Sequence, residues 1–365
     1  MKRIIVSVTN DLTYDQRVYK VCKTLIKLDF EILLIGRKFK NSQPIKRPYK
    51  TYRMKLLFNK GFLFYAEYNI RLFFKLLFTK KSILLANDLD TLLPNYLISV
   101  IQNKKLVYDS HELFSEAPEL ISRPRVQKFW LGIEAYIYPK LENCYTVCQS
   151  IADYYNSKYD TDFKVIRNLP ERKIIVPYKF PFDVGEKKII LYQGAINIGR
   201  GLELMIGTMK FIEDSIFVII GDGDIFHELK KLVVDNHLEN KVKFLGRIQP
   251  SELTNITPLA NIGVSLEEDL GLSYHYALPN KIFDYVQAGV PVLVSDLPEM
   301  RSVVEKYKIG AIVINRDKIR LAEQIQTILK GDKLNWNKNL DVASKELNWS
   351  IEKLLLKNII KSIEK

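Results

Sequence analysis

The hydrophobic and polar positions in the first half of the chain alternate between two periods. Apolar runs such as RIIVSV (3–8) have the length and composition of buried strands. Between them lie segments in which apolar residues recur every three or four positions, which is the spacing of one helix face. The predicted strands are 3–8, 31–36, 82–87, 105–110 and 144–150, and the predicted helices are 14–28 and 93–102. This alternation predicts a parallel sheet covered by helices on both faces.

The same alternation restarts after residues 166–186, a stretch with three prolines and no clear period, where we place a linker. Beyond it, the predicted strands are 187–194, 215–223, 242–246 and 261–266, and the predicted helices are 201–212 and 225–236. We therefore expect an α/β protein with two doubly wound, Rossmann-like domains facing across a cleft. The predicted domains are 1–178 and 186–345, with a last helix, 346–365, that crosses back to the N-terminal domain. Such sheets bind ligands beyond the carboxyl ends of their strands, so the cleft is the predicted site.

Residues 271–299 hold the densest set of candidate ligand-binding groups. Asn280 is placed to cap a helix that starts near Lys281, and a helix N-terminus offers free N–H groups and positive potential to a phosphate. Asp284, one turn further on, can accept hydrogen bonds from a diol. Gly289 then ends the helix, and the apolar strand VPVLVS follows. A diphosphate with an attached ribose fits this arrangement, which makes a nucleotide-sugar enzyme the first hypothesis.

Length and composition are those of a globular protein with two domains. The 365 residues are 47% hydrophobic and 27% charged, and no apolar run is long enough to predict a transmembrane helix. The first residues lack the apolar core of a signal peptide. Cys22, Cys144 and Cys148 are too few, and odd in number, for a disulfide framework. We therefore expect reduced, packed thiols in a cytoplasmic protein.

Positive charge is concentrated in the first half. Residues 1–180 hold 31 Lys and Arg against 17 Asp and Glu, a net charge of +14, whereas residues 181–365 hold 24 against 25. The segment 37–81 combines 13 basic residues and eleven aromatic residues with one acidic residue, Glu67. A solvated surface, a nucleic-acid groove with stacking aromatics and a membrane surface with basic and apolar anchors are its three interpretations. The dense Phe and Leu of residues 62–81 favour the membrane surface over nucleic acid.

Several segments, taken in order, resemble one known family. YQGAINIGRGLELMI is similar to its glycine-rich strand–loop–helix, and IIGDGDIFHELKKLV to its second donor-domain βα unit. KFLGRIQPSELTNITPLANIGVSL resembles the strand and loop that hold the base, and LPNKIFDYVQAGVPVLVSDLPE the nucleotide-binding helix. VYDSHELFSEAPE resembles the segment that carries the active-site histidine. Over nearly its whole length the chain therefore resembles a GT-B fold retaining glycosyltransferase of family 4 (glycosyl transferases group 1).

The resemblance implies a nucleotide-diphosphate sugar as donor, with no metal ion and no other cofactor. Catalysis then rests on positioning and on stabilising the charge of the leaving diphosphate. The implied catalytic residues are His111, Arg200 and Lys281. The implied donor-binding residues are Gly194, Arg200, Gly221, Gly223, Arg247, Ile248, Tyr276, Leu278, Asn280, Lys281 and Asp284. The implied acceptor-side residues are Asp11, Asp15, Arg17, Asp88 and Glu112.

Two positions depart from the family pattern. The family usually has two glutamates eight positions apart, and here the second is Asp284 while the first falls at Tyr276. The usual Arg–Lys pair of the glycine-rich loop appears as Ala195 and Arg200. One diphosphate cation is thus missing, and we expect Lys281 to replace it.

Some of these residues have simpler alternative roles. Thr13 or Asp15 is placed to cap the first helix. The alternative role of Arg200 is that of a solvated cation in a loop. Asp88 and Asp90 form an Asp-x-Asp pair, which binds a metal–diphosphate complex in the other major glycosyltransferase fold, and we expect no metal here. GDGD at 221–224 does not complete a G-x-G-x-x-G fingerprint.

The sequence therefore predicts a cytoplasmic hexosyltransferase of bacterial cell-surface polysaccharide biosynthesis. We expect a glycan or lipid-linked acceptor, and a peripheral position at the inner face of the membrane through residues 37–81. Two alternatives stay open. One is a nucleotide-sugar epimerase or hydrolase on the same fold, and the other is a non-catalytic subunit that binds a partner enzyme.

Overall fold

The computed structural model describes residues 2–13, 15–171, 176–331 and 334–364. The chain divides into two compact units. The first holds the residues up to Asn168 together with those from Glu352 onward, and the second is Leu169–Ile351. Among the described residues, no helix combines the length and the apolar character needed to cross a bilayer.

The first unit is a parallel sheet with helices on both faces. Its strands are β1 (Arg3–Ser7), β2 (Glu31–Lys38), β3 (Lys50–Lys55), β4 (Ile83–Asn87), β5 (Lys105–Ser110), β6 (Cys144–Thr146) and β7 (Lys164–Val165). Its helices are α1 (Gln16–Ile26), α2 (Gly61–Leu77), α3 (Leu89–Ile101), α4 (Pro118–Ile121), α5 (Pro124–Ile137) and α6 (Gln149–Tyr159). The strand order is β3-β2-β1-β4-β5-β6-β7. The order reverses between β1 and β4, which is where doubly wound sheets bind ligands.

The second unit repeats this plan. Its strands are β8 (Lys188–Gln193), β9 (Ser215–Ile220), β10 (Val242–Gly246), β11 (Ile262–Ser265), β12 (Val292–Val294) and β13 (Gly310–Ile312). Its helices are α7 (Leu202–Thr208), α8 (Phe226–Asp235), α9 (Pro250–Ile256), α10 (Leu272–His275), α11 (Asn280–Gln287), α12 (Pro298–Tyr307), α13 (Lys318–Lys330) and α14 (Leu334–Glu346). A last helix, α15 (Trp349–Glu364), runs from this unit into residues of the first. The strand order β10-β9-β8-β11-β12-β13 reverses between β8 and β11.

Each central strand supplies two hydrophobic cores. In β8, Ile189 and Leu191 pack into one core while Ile190 and Tyr192 pack into the other. All six residues of β9, SIFVII, are buried. A strand this uniformly apolar is stable only where helices cover both faces of its sheet. The predicted fold class, with two Rossmann-like domains, is thereby confirmed.

Some predicted elements differ in extent. The predicted strand 144–150 ends at Thr146, and Gln149 already begins α6. The predicted strand 215–223 ends at Ile220, because Gly221 has a φ of 149° and turns the chain out of the sheet. The three cysteines are free and buried, as expected for packed thiols.

Candidate functional site

Two glycine loops meet at the carboxyl ends of β8 and β9. Gly194 follows β8 and Gly221 follows β9, and a Cβ on Gly221 would lie 1.8 Å from the Gly194 carbonyl oxygen. A Cβ on Gly223 would lie 2.3 Å from the Ile196 carbonyl oxygen. Backbones this close exclude any side chain, so the GDG sequence is fixed by the approach of the two loops. The two loops leave main chain without side chains at the edge where these sheets bind ligands.

A buried carboxylate that the sequence analysis missed organises the cations of this edge. Glu267 follows β11, and its Oε1 lies 2.7 Å from Lys281 Nζ and 3.8 Å from Arg200 Nη1. The Ser265 hydroxyl donates to the other oxygen, Oε2, at 2.7 Å. The Arg200 guanidinium also stacks over the Tyr274 ring at 4.9 Å. Arg200 and Lys281, predicted from separate motifs, are thus brought to one carboxylate.

The charge balance of this cluster favours an anion. Burial alone would raise the pKa of Glu267, but Lys281, Ser265 and Arg200 together hold it below its usual value. One ionised carboxylate therefore faces two cations. Arg200 keeps a quarter of its side chain exposed, whereas Lys281 is 8% exposed. The excess positive charge is suited to a diphosphate. The sequence does contain a signal for Glu267. An acidic residue that closely follows a buried strand lies at the edge where such sheets bind ligands.

The helix that carries Lys281 begins one residue earlier than predicted. Asn280 is the first residue of α11 and Pro279 is its N-cap, with no side-chain cap bond. The prediction that Asn280 caps this helix is therefore wrong. Pro279 has no side-chain acceptor and so offers no cap to the N–H groups that follow it. In the first turn of α11, the Ile282 N–H donates to the Pro279 carbonyl at 3.2 Å, while the N–H groups of Asn280 and Lys281 have no side-chain cap and are available to a ligand.

Asp284 is held by a short chain of hydrogen bonds. Gln193, at the end of β8, donates from Nε2 to Asp284 Oδ2 at 3.1 Å. The Oε1 of Gln193 accepts from the Thr257 hydroxyl at 2.9 Å, which fixes the orientation of the amide. Both Gln193 and Thr257 are 2% exposed, while Asp284 is half-buried. Neither of the two supporting residues was predicted, because a lone Gln and a lone Thr carry no motif.

The remaining predicted donor residues surround this edge. Arg247 is exposed and comes directly after β10. Ile248 and Leu278 are half-buried against the core that contains α11. Tyr276 ends α10, and its ring lies 5.1 Å from the ring of His275. The position that carries a carboxylate in the family is therefore an aromatic side chain here, and Glu267 is the carboxylate that lies beside the two cations.

In the first unit, His111 lies between two carboxylates. Its Nδ1 is 3.0 Å from Asp88 Oδ2, and its Nε2 is 3.3 Å from Asp109 Oδ2. The backbone N–H of His111 also donates to Asp88 Oδ1 at 2.7 Å. Burial alone would lower the pKa of His111, but the two carboxylates raise it well above its usual range. The two carboxylates therefore favour the imidazolium form of the histidine, and 22% of its side chain is exposed.

Arg17 differs from its predicted acceptor-side role. Its guanidinium donates from Nη2 to Asp109 Oδ1 at 2.7 Å and from Nη1 to the Ile166 carbonyl at 2.8 Å. Arg17 is 3% exposed and Asp109 is fully buried. Burial alone would raise the pKa of Asp109, but Arg17 and His111 lower it to about 2. Arg17 thus acts through Asp109 on the orientation of His111 and does not present its charge to a ligand.

The other predicted acceptor-side residues make local contacts. Asp15 caps α1 by accepting the Val18 N–H at 2.9 Å, which is the simpler alternative considered for it. Asp11 accepts the Thr13 N–H at 3.0 Å. Glu112 is exposed beside the histidine.

The two aspartates of the Asp-x-Asp pair have different environments. Asp88 is partly exposed and contacts His111, whereas Asp90 is 7% exposed and accepts from the Thr9 hydroxyl at 2.6 Å. Burial, with the nearby charge of Asp88, raises the pKa of Asp90 to about 7. Within the described ranges, no three His, Cys, Asp or Glu side chains are grouped so as to hold a metal ion.

Comparison with known proteins finds a family match for part of the chain. Residues 179–346 match the family model "Glycosyl transferases group 1". None of the curated protein sequences matches the chain.

Solved structures resemble the chain over nearly its full length at low identity. The sucrose-phosphate synthase of Thermosynechococcus elongatus has a TM-score of 0.82 at 17% identity, covering 100% of this chain and 99% of that one. Anabaena Alr3699/HepE in complex with UDP and glucose has a TM-score of 0.74 at 14% identity, covering 99% and 100%. WaaG, described as a glycosyltransferase involved in lipopolysaccharide biosynthesis, has a TM-score of 0.69 at 12% identity, covering 98% of each chain. The chain therefore has the fold of GT-B glycosyltransferases, and its residues 179–346 match the glycosyl transferases group 1 family.

Proposed function

We propose that this protein is a retaining family-4 hexosyltransferase that moves a hexose from a nucleotide-diphosphate sugar to a glycan or lipid-linked acceptor hydroxyl. The observation that carries the proposal is the grouping of Arg200, Lys281 and Asp284 around the first turn of α11. The two cations and the free N–H groups suit the diphosphate, and Asp284 suits the two ribose hydroxyls. The structure of Anabaena HepE with UDP and glucose supports a nucleotide-sugar donor.

In this proposal, Arg200 and Lys281 stabilise the charge that develops on the departing diphosphate. The leaving phosphate oxygen takes the proton of the acceptor hydroxyl, and the hydroxyl oxygen bonds to the sugar on the same face. No protein nucleophile is required. His111, whose two ring nitrogens are held by Asp88 and Asp109, places a fixed positive charge near a sugar hydroxyl.

We also propose that the protein acts at the inner face of a bacterial membrane in surface-polysaccharide assembly. Support comes from the large apolar side chains exposed on α2 and at its C-cap, among them Phe62 and Phe78 at 69% and 82%. Likeness to WaaG is consistent with an acceptor of this class. Residues 37–81 are the segment that we expect to contact the membrane.

The test is thermal unfolding of the purified protein against UDP-, GDP-, ADP- and dTDP-sugars, because a ligand that binds the folded state raises the midpoint with the logarithm of its concentration over Kd. We expect a shift with one nucleotide class. Asp284→Ala should abolish it, while Asp235→Asn, an exposed aspartate at the end of α8, should leave it unchanged.

Product analysis after incubation of the protein with the donor sugar alone, together with the unfolding test, separates the alternatives. Release of free sugar or conversion of the donor sugar without any acceptor would favour a hydrolase or an epimerase. A folded protein that responds to none of the nucleotides would contradict the proposal and favour a non-catalytic subunit.

A further inference from the structure

A basic cavity lies at the edge of the first sheet, away from His111 and its two carboxylates. It has a volume of about 780 Å³ and is formed by the end of β2, the edge strand β3 and the C-terminal half of α2. We call it the β3–α2 pocket. Its lining has no acidic residue and holds five cations, Lys38, Arg53, Lys55, Arg71 and Lys75.

Most of this charge is not neutralised by the protein. Arg71 pairs with Glu67 at 2.6 Å. Arg53 donates to the carbonyls of Asp11 and Gln43, which holds the guanidinium in place but leaves its charge uncompensated. The other three cations are lysines, and none of them contacts a carboxylate within the part of the chain that the structure describes. Like charges gathered in a concave site focus a positive potential and favour a bound anion.

Apolar side chains border the pocket on its open side. Phe74 and Phe78 line it and are 53% and 82% exposed, and Tyr52 lies under the Lys75 ammonium at 4.4 Å. Along the same helix, Ile70 and Leu63 are also more than half exposed. Large apolar residues exposed together beside a charged site mark an interaction surface.

The aliphatic residues decide between two kinds of partner. Single-stranded nucleic acid uses aromatic rings as stacking platforms, and Ile70 and Leu63 offer none. A membrane surface is served by both, since phenyl and alkyl side chains enter the acyl boundary while lysines contact the headgroups. We infer that the β3–α2 pocket binds the phosphate group of an anionic lipid, with Phe74 and Phe78 inserted beside it. This inference rests on the membrane position proposed above and assigns a site to it.

Flotation with vesicles tests the inference on the full chain. The vesicles are phosphatidylcholine alone and an equal mixture of phosphatidylcholine and phosphatidylglycerol. In the double variant Lys55→Gln/Lys75→Gln, binding to the anionic vesicles should fall about thirtyfold, given roughly 1 kcal/mol per basic residue near such a surface. Arg53 and Arg71 are kept, because they hydrogen-bond to the backbone.

The matched control is Lys230→Gln/Lys231→Gln, which removes two exposed cations from α8. It should bind anionic vesicles nearly as well as the unaltered chain. An equal loss in both double variants would show a net-charge effect and overturn the pocket assignment. A second variant, Phe74→Ser/Phe78→Ser, should weaken binding without changing its preference for anionic lipid, and no weakening would contradict the insertion.

Two further probes distinguish other occupants. Saturable binding of inorganic phosphate to the pocket without any preference for anionic vesicles would overturn the lipid assignment, and so would tighter binding of single-stranded RNA. The nucleotide-induced rise in unfolding temperature is measured on every variant. If it is retained while vesicle binding is absent, the lipid inference fails and the transferase proposal stands.

Discussion

Glu267 and Lys281 form an ion pair of 2.7 Å in which neither side chain is more than 8% exposed. A pair this buried offsets its desolvation only when both charges are present and hydrogen-bonded. Ser265 and Arg200 complete the surroundings of the carboxylate. The pair therefore fixes Lys281 at the first turn of α11, where a lysine alone would oppose the helix dipole.

Removing one partner of this pair should lower the unfolding free energy more than removing both partners. We expect Lys281→Met to lower the unfolding free energy by about 3–5 kcal/mol, because Glu267 would stay buried without its main cation. The double variant Lys281→Met/Glu267→Gln should recover much of this loss. Urea unfolding of the two single variants and the double variant gives the coupling energy, and purely additive losses would contradict a coupled pair.

The periodicity of hydrophobic residues was sufficient to predict that the chain forms two parallel sheets. Uniformly apolar strands such as β9 are recognisable because both of their faces are covered. The edge strand β3 was not recognised, because Met54 is its only buried residue and its composition is basic. The helix α2 was equally obscured, because it exposes Phe and Leu on the face that a globular helix usually makes polar.

The candidate site was predictable where a local motif existed. Asp284 was predicted from its place one turn into the helix, and the glycine loops were predicted from the resemblance to the family. Glu267, Gln193 and Thr257 come together only through the folded sheet, since they follow three different elements. For Arg17, the local sequence suggested the wrong role. Its position after β1 suggests a ligand contact, but its actual partner is Asp109, on a strand 92 residues away.

The Arg17–Asp109 pair should be a stability determinant of the first unit. Arg17→Met leaves Asp109 with only His111 as a counter-charge, and we expect a loss of about 3–5 kcal/mol in unfolding free energy. Arg3→Met is the control, because Arg3 pairs with Glu31 in a partly exposed bridge, and exposed bridges contribute little to stability. Equal losses in denaturant unfolding would contradict the structural role of Arg17.

Asp90 should make stability fall as pH rises. Its pKa is raised from 3.8 to about 7, so the native state keeps a proton that the unfolded state releases between these values. The unfolding free energy then declines across that window by up to about 1.4 kcal/mol per pH unit, and the contribution is lost above pH 7. In Asp90→Asn this decline should be less steep, and what remains comes from other groups with a raised pKa, such as Glu134. Urea midpoints from pH 4 to pH 8 measure it, and parallel curves for the two proteins would refute the assignment.

Gly221 should tolerate no side chain. In Gly221→Ala the Cβ would meet the Gly194 carbonyl oxygen at 1.8 Å, so the two loops must separate. We expect both lower stability and loss of the nucleotide-induced shift. Gly246→Ala is the matched comparison, because Gly246 has a φ of 66° but nothing within 4 Å of the added Cβ. Its cost should be limited to the backbone strain of about 1–2 kcal/mol, with nucleotide binding retained.

The support of Asp284 by Gln193 separates binding from stability. Gln193→Met removes the amide that donates to Asp284 at 3.1 Å, which frees the carboxylate to rotate away from a ribose. A hydrogen bond to a charged group is worth about 1.5–3 kcal/mol, so we expect nucleotide affinity to fall by at least about tenfold. Thr257→Val should act in the same direction but more weakly, because it releases only the far side of the amide.

The control for this prediction lies on the same helix as Asp284. Gln287 donates to the carbonyls of Ser344 and Leu347 at 2.7 and 3.0 Å, so its amide holds α11 to the end of α14. Gln287→Met should therefore lower the unfolding temperature without changing the dissociation constant of the nucleotide, measured by calorimetry. If Gln193→Met behaves like Gln287→Met, Gln193 is a packing residue. If only Gln193→Met weakens binding, the amide positions the carboxylate, and the place of Asp284 in the donor site is supported by a residue that never touches the ligand.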